Sequence, residues 1–591
     1  MAQIGPLLTI VQSAFTAPDE VVAQLLGGLD APPLPAHLDV INGRAVVHVF
    51  VTAAEGALSD QLPEVQRHGF RLRTRTARVA CGWIYLDAIG QIAEAPSDAY
   101  VEAAGVVRPE LDVSVPEARN IGAAGVVPFP TGSDVLIGIV DTGVDVTHPS
   151  LCNSIGATRV LRYWDQAATG GQFPAGLGYG AEWSAGDIDA CHFAGPPFPA
   201  KDVTGHGTAV AGVAAANGLA SPSGRYVGVA TDANLVVVAL QAPAHAFASS
   251  NNVVDACRYV FDVAAQFGCR AVVNLSSGAR LGAHDAHGEF ELAISDLLAE
   301  NPEHILVNSA GNLGAASAHA RFTVPDGGSH DLVFTVPRFA GRYVALDIWY
   351  ALADRIAIEL VDPTGARSAT VEGHNRDWGT LTDSWAVSGV LNVPHVQANQ
   401  VLVTLQAGTN VTAGTWTVRV HGRSVTSGAP VDAWLDTADG PPSFPAADPD
   451  CTITAPATAD GVLAVSAYKM SPAIGPMAAL SSRGPGRDGK PVSLIAAPGS
   501  PVTTCAAASR STAKHARATG TSMAAAHVSG AIAAMLEVNP SLSRAAVIAC
   551  LTGTARTDAD TTNGPASAWG AGKLDIDAAL RCAAQKTGGT P

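Results

Sequence analysis

The sequence is poor in charge: Asp, Glu, Lys and Arg make up 15% of its 591 residues, against about 25% in an ordinary globular chain. Cations are the scarcer sign, with 35 Lys plus Arg against 52 Asp plus Glu and a formal net charge of −17. A chain this acidic holds phosphate backbones and anionic lipid poorly, so nucleic acid is not an expected partner. The nine cysteines include no C-x-x-C pair and no His/Cys cluster at zinc spacing. Free thiols are expected, not a disulfide framework or a structural metal. No uninterrupted apolar run reaches the ~18 residues of a membrane span. The longest candidate, near 522–536, contains Ser and His, and no membrane partner is expected. The first 18 residues lack the charged-then-apolar pattern of a secretory leader. A cytoplasmic location is the expectation, with secretion the alternative for a chain missing its leader.

Apolar residues at 47%, with 60 Gly and 38 Pro, imply a compact, turn-rich chain of several domains. Residues 1–43 read only as a Pro-rich lead-in. Residues 44–110 read as a small α+β unit, with a strand at 45–51 and a helix at 58–69 ending at Gly69. From Gly132 onward, short continuous apolar runs alternate with Gly-rich turns and helices: VLIGIV (135–140), LVVVAL (235–240), AVVNL (271–275) and ILVN (305–308). Runs of this kind suit strands covered on both faces, hence a parallel sheet with helices on each side. Between 318 and 450 the helical periodicity vanishes. Alternating runs such as HDLVFTV and QVLVTLQ predict a β-sandwich or jelly roll. The α/β style resumes at GVLAVSAY (461–468), so the β-unit interrupts an α/β domain assigned to 119–317 and 451–583, with 584–591 as a tail.

Three residues at the mouths of buried elements carry the chemistry. Asp141 directly follows the strand VLIGIV, where functional groups collect in open parallel sheets; alone it could simply cap a turn. His206 stands between Gly205 and Gly207 ahead of a small-residue helix, and Ser522 starts a nearly apolar helix, where a serine is ordinarily an N-cap. Together Asp, His and Ser are the parts of a nucleophilic triad. A serine hydroxyl attacks an amide only if a base takes its proton, a role for His206, and Asp141 would fix the imidazole tautomer. The helix start at Ser522 offers backbone N–H groups to an oxyanion. Asn312, after a buried strand and beside Gly311, supplies a further candidate donor.

At these residues the sequence resembles the subtilisin-like serine proteases. The matching segments are DTGVDVTHP around Asp141, GHGTAVAGVAA around His206, SAGN ending at Asn312 and GTSMAAAHVSG around Ser522. Smaller matches include SSRGP (481–485) and WGAGKLD (569–575). Two small departures are Ala209, where many members carry a second His, and Ala526, where they carry Pro. The long separation between Asp141 and His206 holds TRVLRYWDQ and YGAEWSAGDID, similar to the germination-type (Csp) branch, whose members carry a jelly roll inserted in the protease domain.

The resemblance implies a subtilisin-like parallel sheet with helices on both faces, an N-terminal α+β propeptide domain at 44–110 and an inserted all-β jelly roll at 318–450. It implies a serine endopeptidase made as a self-processing zymogen, inhibited by its own propeptide and cut between about 106 and 115. Its substrate would be a protein or peptide in extended form. Ser276, Ser277 and Gly278 would line one side of the primary pocket, Ala310 and Gly311 the other, and residues 248–250 another edge. No cofactor is required. Calcium is common in the family, and Asp145 or 217–224 could contribute ligands, although neither offers a linear cluster of oxygens. The competing reading is a pseudoprotease acting as a regulator or binding partner. The presence of Asp141, His206, Asn312 and Ser522 argues against it. A carbohydrate-binding role for the β-insert has only fold analogy behind it.

Overall fold

The computed structural model describes residues 3–4, 38–41, 44–52, 58–75, 79–97, 99–103, 114–115, 117–118 and 130–586, without 194, 222–223, 241–249, 394–395, 438–441 and 493. The chain divides into two units, Met1–Arg108 and Pro109–Pro591.

In the first unit, the strands Tyr100–Ala103, Arg44–Thr52, Val79–Tyr85 and Arg71–Arg75 lie side by side. The helix Leu58–Arg67 and the shorter Ile89–Glu94 accompany them. Val49, Val51, Leu62, Val65, Phe70, Ile84 and Ile92 form its core. The helix ends close to where the sequence placed its stop, with Gly69 at φ +115°, a conformation open to glycine. Two short strands fall inside the stretch read as a lead-in. Leu38–Ile41 pairs antiparallel with Arg44–Thr52, and Gln3–Ile4 pairs parallel with Tyr100–Ala103. The unit thus begins earlier than 44.

The second unit is built on an eight-stranded sheet. In spatial order its strands are Leu494–Ser500, Leu463–Lys469, Ile305–Ser309, Arg270–Leu275, Val135–Asp141, Asn234–Ala239, Val160–Asp165 and Ala181–Ser184. All neighbours are parallel except the last pair. The central strands are buried along their length apart from Arg270 at the start of one, which requires cover on both faces. One face packs on the helices His206–Ala215 and Thr521–Val538, the other on Ser250–Phe267 and Glu289–Ala299. The Thr521–Val538 helix has the length and apolarity of a membrane span, yet 89% of it is buried in this core.

Between the strands Ile305–Ser309 and Leu463–Lys469 the chain forms two antiparallel sheets. The larger runs from His319–Phe322 through Val431–Thr437, Tyr343–Ala351, Ala398–Gln406 and Ser384–Val393 to Arg376–Thr380; the smaller holds Ser329–Val336, Gly414–Ser424, Arg355–Val361 and Val371–Glu372. Inward residues of both sheets, among them Phe334, Ile348, Ile358, Val403, Trp416 and Val418, share one core. The two-residue alternation visible in the sequence is the alternation of burial along Ala398–Gln406 and Gly414–Ser424.

The expectation of free thiols needs a correction. Cys550 and Cys582 form a disulfide joining the helices Arg544–Gly553 and Ile576–Gln585, with Cα atoms 5.6 Å apart. They lie 32 residues apart and meet only because the two helices pack against each other, a relation that no local spacing rule reports. Cys152, Cys191, Cys257, Cys269, Cys451 and Cys505 are free.

Candidate active site

The register of the parallel sheet brings the candidate residues to one edge. Val140 is level with Leu275, and Leu275 with Asn308. Asp141, Ser276 and Ala310 therefore leave the sheet along the same carboxyl edge, the usual place for function in open α/β sheets. The turn before Ser522 is attached there too, because the Gly520 N–H donates to the Gly499 carbonyl at the end of its strand, 2.9 Å.

Asp141 is 4% exposed. Its Oδ1 accepts from the Thr142 N–H and from His206 Nδ1, both at 2.7 Å. The carboxylate fixes the imidazole with Nδ1 as donor, leaving Nε2 as the basic nitrogen. The His206 side chain is 39% exposed, open enough to meet a substrate. The charge of Asp141 raises its pKa above the ordinary histidine value, against an opposing effect of burial. Gly207 lets the His206 helix approach this closely, since a Cβ there would stand 2.0 Å from the Gly143 carbonyl oxygen.

Asp202 was not singled out from the sequence. It is 1% exposed, and Oδ1 accepts from the Thr142 hydroxyl at 2.9 Å, the Thr204 hydroxyl at 3.2 Å and the Gly205 N–H at 2.8 Å. Oδ2 accepts from the Thr208 N–H at 2.8 Å and the Thr208 hydroxyl at 2.7 Å. One carboxylate thus ties the loop after Asp141 to the first turn of the His206 helix. The signal that could have found it is an Asp just ahead of a helix start that carries Thr208 in its first turn.

Ser522 is 4% exposed and second in its helix. Its hydroxyl donates to the Ser276 carbonyl at 3.4 Å. A hydrogen bond between that hydroxyl and His206 is not found among the described residues; the hydroxyl is given to Ser276 instead. The Ser522 backbone N–H is unpaired among the described residues. Asn312 is exposed, and its Oδ1 accepts from the N–H and the hydroxyl of Thr521 at 3.0 and 3.1 Å. Its Nδ2 is the end left over for a ligand oxygen.

Of the residues expected to line the pocket, Ser277 and Gly278 are exposed and Ser276 is half-buried. Ala310 is fully buried, its N–H given to Val465 and its carbonyl taken by Thr454; with the buried Gly311 it backs the rim. The rim continues into 279–285, held by two strands of the larger antiparallel sheet. The Gly282 N–H donates to Asp347 at 2.9 Å, and His284 stacks on Trp434 with ring centroids 4.4 Å apart. Residues 248 and 249 lie outside the described residues; Ser250 starts a helix.

Of the positions suggested for calcium, 222 and 223 lie outside the described residues, and Asp145 and Asn217 have their side-chain oxygens engaged within the chain. Asp145 spends Oδ1 on Thr147 and Oδ2 on the Ala508 N–H, and Asn217 Oδ1 accepts from the Leu219 N–H. Among the described residues no three His, Cys, Asp or Glu side chains converge on a metal position.

Comparison with known proteins places this arrangement. The family described as "Subtilase family" matches residues 132–339 and 388–572, more than half of the chain. No curated protein sequence matches. Among solved structures, the CspB protease of Clostridium perfringens superposes with a TM-score of 0.69 at 22% identity, covering 81% of this chain and 99% of that one. Sphericase is similar at a TM-score of 0.41 and 18% identity, covering 76% and 91%. Fervidolysin from Fervidobacterium pennivorans is similar at 0.40 and 17%, covering 92% and 62%. With an acid, an imidazole, a hydroxyl and a carboxamide delivered to one sheet edge and the family matched over 132–339 and 388–572, the chain belongs to the subtilase family of serine proteases.

Proposed function

We propose that this subtilase cleaves peptide bonds through an acyl-enzyme on Ser522, with His206 as base and acid, Asp141 as its orienting partner, and Asn312 with the Ser522 N–H as oxyanion donors. The observation that carries the reading is the 2.7 Å bond from His206 Nδ1 to the buried Asp141. In the reaction, Ser522 Oγ leaves the Ser276 carbonyl. It passes its proton to His206 Nε2 and attacks the carbonyl carbon. The oxyanion accepts from the Ser522 N–H and Asn312 Nδ2. His206 then protonates the leaving amine, and water repeats the sequence to release the acid. Asp141 stabilises the imidazolium.

We read residues 44–110 as a propeptide and 318–450 as a jelly roll bracing the pocket rim. We expect the processing bond within 106–113, the part of 106–115 that precedes Ser114. Support for that limit comes from Ser114 and Val115, which are 0% and 3% exposed and packed into the catalytic unit, Ser114 against His527 Nε2 at 3.2 Å. The disulfide favours an oxidising compartment over the cytoplasm. Intact mass of the wild type and of Ser522→Ala after expression tests the reading. The wild type is expected to be cut in 106–113 and the variant to stay whole. Cutting of both would assign processing to another protease.

A further inference from the structure

Although the chain as a whole is acidic, there is no carboxylate between Asp488 and Glu537, a stretch that carries Lys490, Arg510, Lys514 and Arg517. Part of this basic stretch lies beside the catalytic histidine. The strands Val502–Cys505 and His515–Ala518 pair, and the loop between them is anchored on the start of the His206 helix. The Ser509 hydroxyl donates to the Asp202 carbonyl, and the Ala508 N–H donates to Asp145 at 2.8 Å. A Cβ on Gly205, next to His206, would lie 3.1 Å from Arg510 Cγ. Arg510 and Lys514 are exposed and have no ion-pair partner among the described residues. The nearby acids are already engaged: Asp145 by Thr147 and Ala508, and Asp202 by its buried network.

The histidine that protonates the leaving amine must face the half of the substrate after the scissile bond. A cation beside it therefore reads that half. We propose that Arg510, aided by Lys514, selects substrates with an acidic residue in the first two positions after the cut. This rests on the assignment of His206 and Ser522 given above.

The test begins with a randomised synthetic peptide library digested by the purified protein. One cleaved sequence is then remade with Asp, Ala or Lys at those two positions. The Asp peptide is expected to exceed the Ala peptide about fivefold in kcat/KM, the scale of one partly exposed ion pair, with Lys below both. Added salt compresses the difference. Arg510→Ala removes the advantage of the Asp peptide over the Ala peptide, while Arg510→Glu favours Lys. Equal rates in the wild type, or an unaltered preference in Arg510→Glu, overturn the proposal. Labelling of Ser522 by a fluorophosphonate separates the two readings. A labelled enzyme without charge preference refutes the role of Arg510 alone, and an unlabelled one refutes both.

Discussion

Thr521 holds Asn312 by its carbonyl end: the side-chain oxygen of Asn312 accepts from both the N–H and the hydroxyl of Thr521, at 3.0 and 3.1 Å. The Thr521 hydroxyl also accepts from the Gly311 N–H at 3.2 Å. The residue before the nucleophile thus determines which end of the amide faces the substrate. Removing Asn312 is expected to lower kcat about 10²- to 10³-fold, a figure taken from the corresponding amide in subtilisin itself. Thr521→Val keeps the shape and the backbone bond but drops the hydroxyl. It is expected to lower kcat about tenfold with little change in KM, as measured by steady-state kinetics on a peptide substrate.

The pH dependence follows from Asp141 and His206. The carboxylate stabilises the imidazolium and raises its pKa above the ordinary value, while catalysis needs the neutral base. Activity is expected to rise with pH through an apparent pKa above ~6.5. The stabilisation that the pair gives the fold has the opposite sense: it is present below the unfolded histidine pKa and is lost as pH rises through the folded one. Asp141→Asn is expected to move the acid limb of kcat/KM downward and to cut kcat by about 10⁴-fold, the scale seen for this substitution in another triad.

Asp202 acts on the same pair without touching substrate. Asp202→Asn places an amide opposite the donors of Thr208 and Gly205 and loosens the bond between Asp141 and His206. The expected result is a kcat lowered by one to two orders of magnitude, an unchanged KM and an acid limb shifted down. The pH profile of kcat/KM checks it, since a purely structural defect would lower the amount of active enzyme without moving the limb.

His527, one turn beyond Ser522, is fully buried, and burial lowers its pKa to about 4. The unfolded chain binds a proton there that the native chain refuses, so stability is lost as pH falls below ~6.5 and levels off near 4. The loss at pH 5 is about 2 kcal/mol. Denaturant titrations at pH 7 and pH 5 should show this difference, and His527→Gln should reduce it.

The central strands were legible because burial on both faces leaves an uninterrupted apolar run, as in Val135–Asp141 and Arg270–Leu275. The candidate triad was legible because each member adjoins a glycine or small-residue segment that the packing demands. Other features depend on side-chain directions or on distant partners. The Asp202 carboxylate gathers donors from 142 to 208, and the Ser522 hydroxyl chooses a backbone carbonyl. The Cys550–Cys582 bond needs two helices to meet. The strand Leu38–Ile41 is too short to show alternation against the proline-rich stretch around it.

The central claim is that Ser522 is a nucleophile activated by His206, and covalent labelling tests it most directly. After incubation of the full chain with a fluorophosphonate, intact mass and peptide mapping should find one adduct, on Ser522, in the wild type. The adduct should be absent in Ser522→Ala and formed at least a hundredfold more slowly in His206→Ala. A wild type that takes no label, or takes it at another residue, would contradict the account.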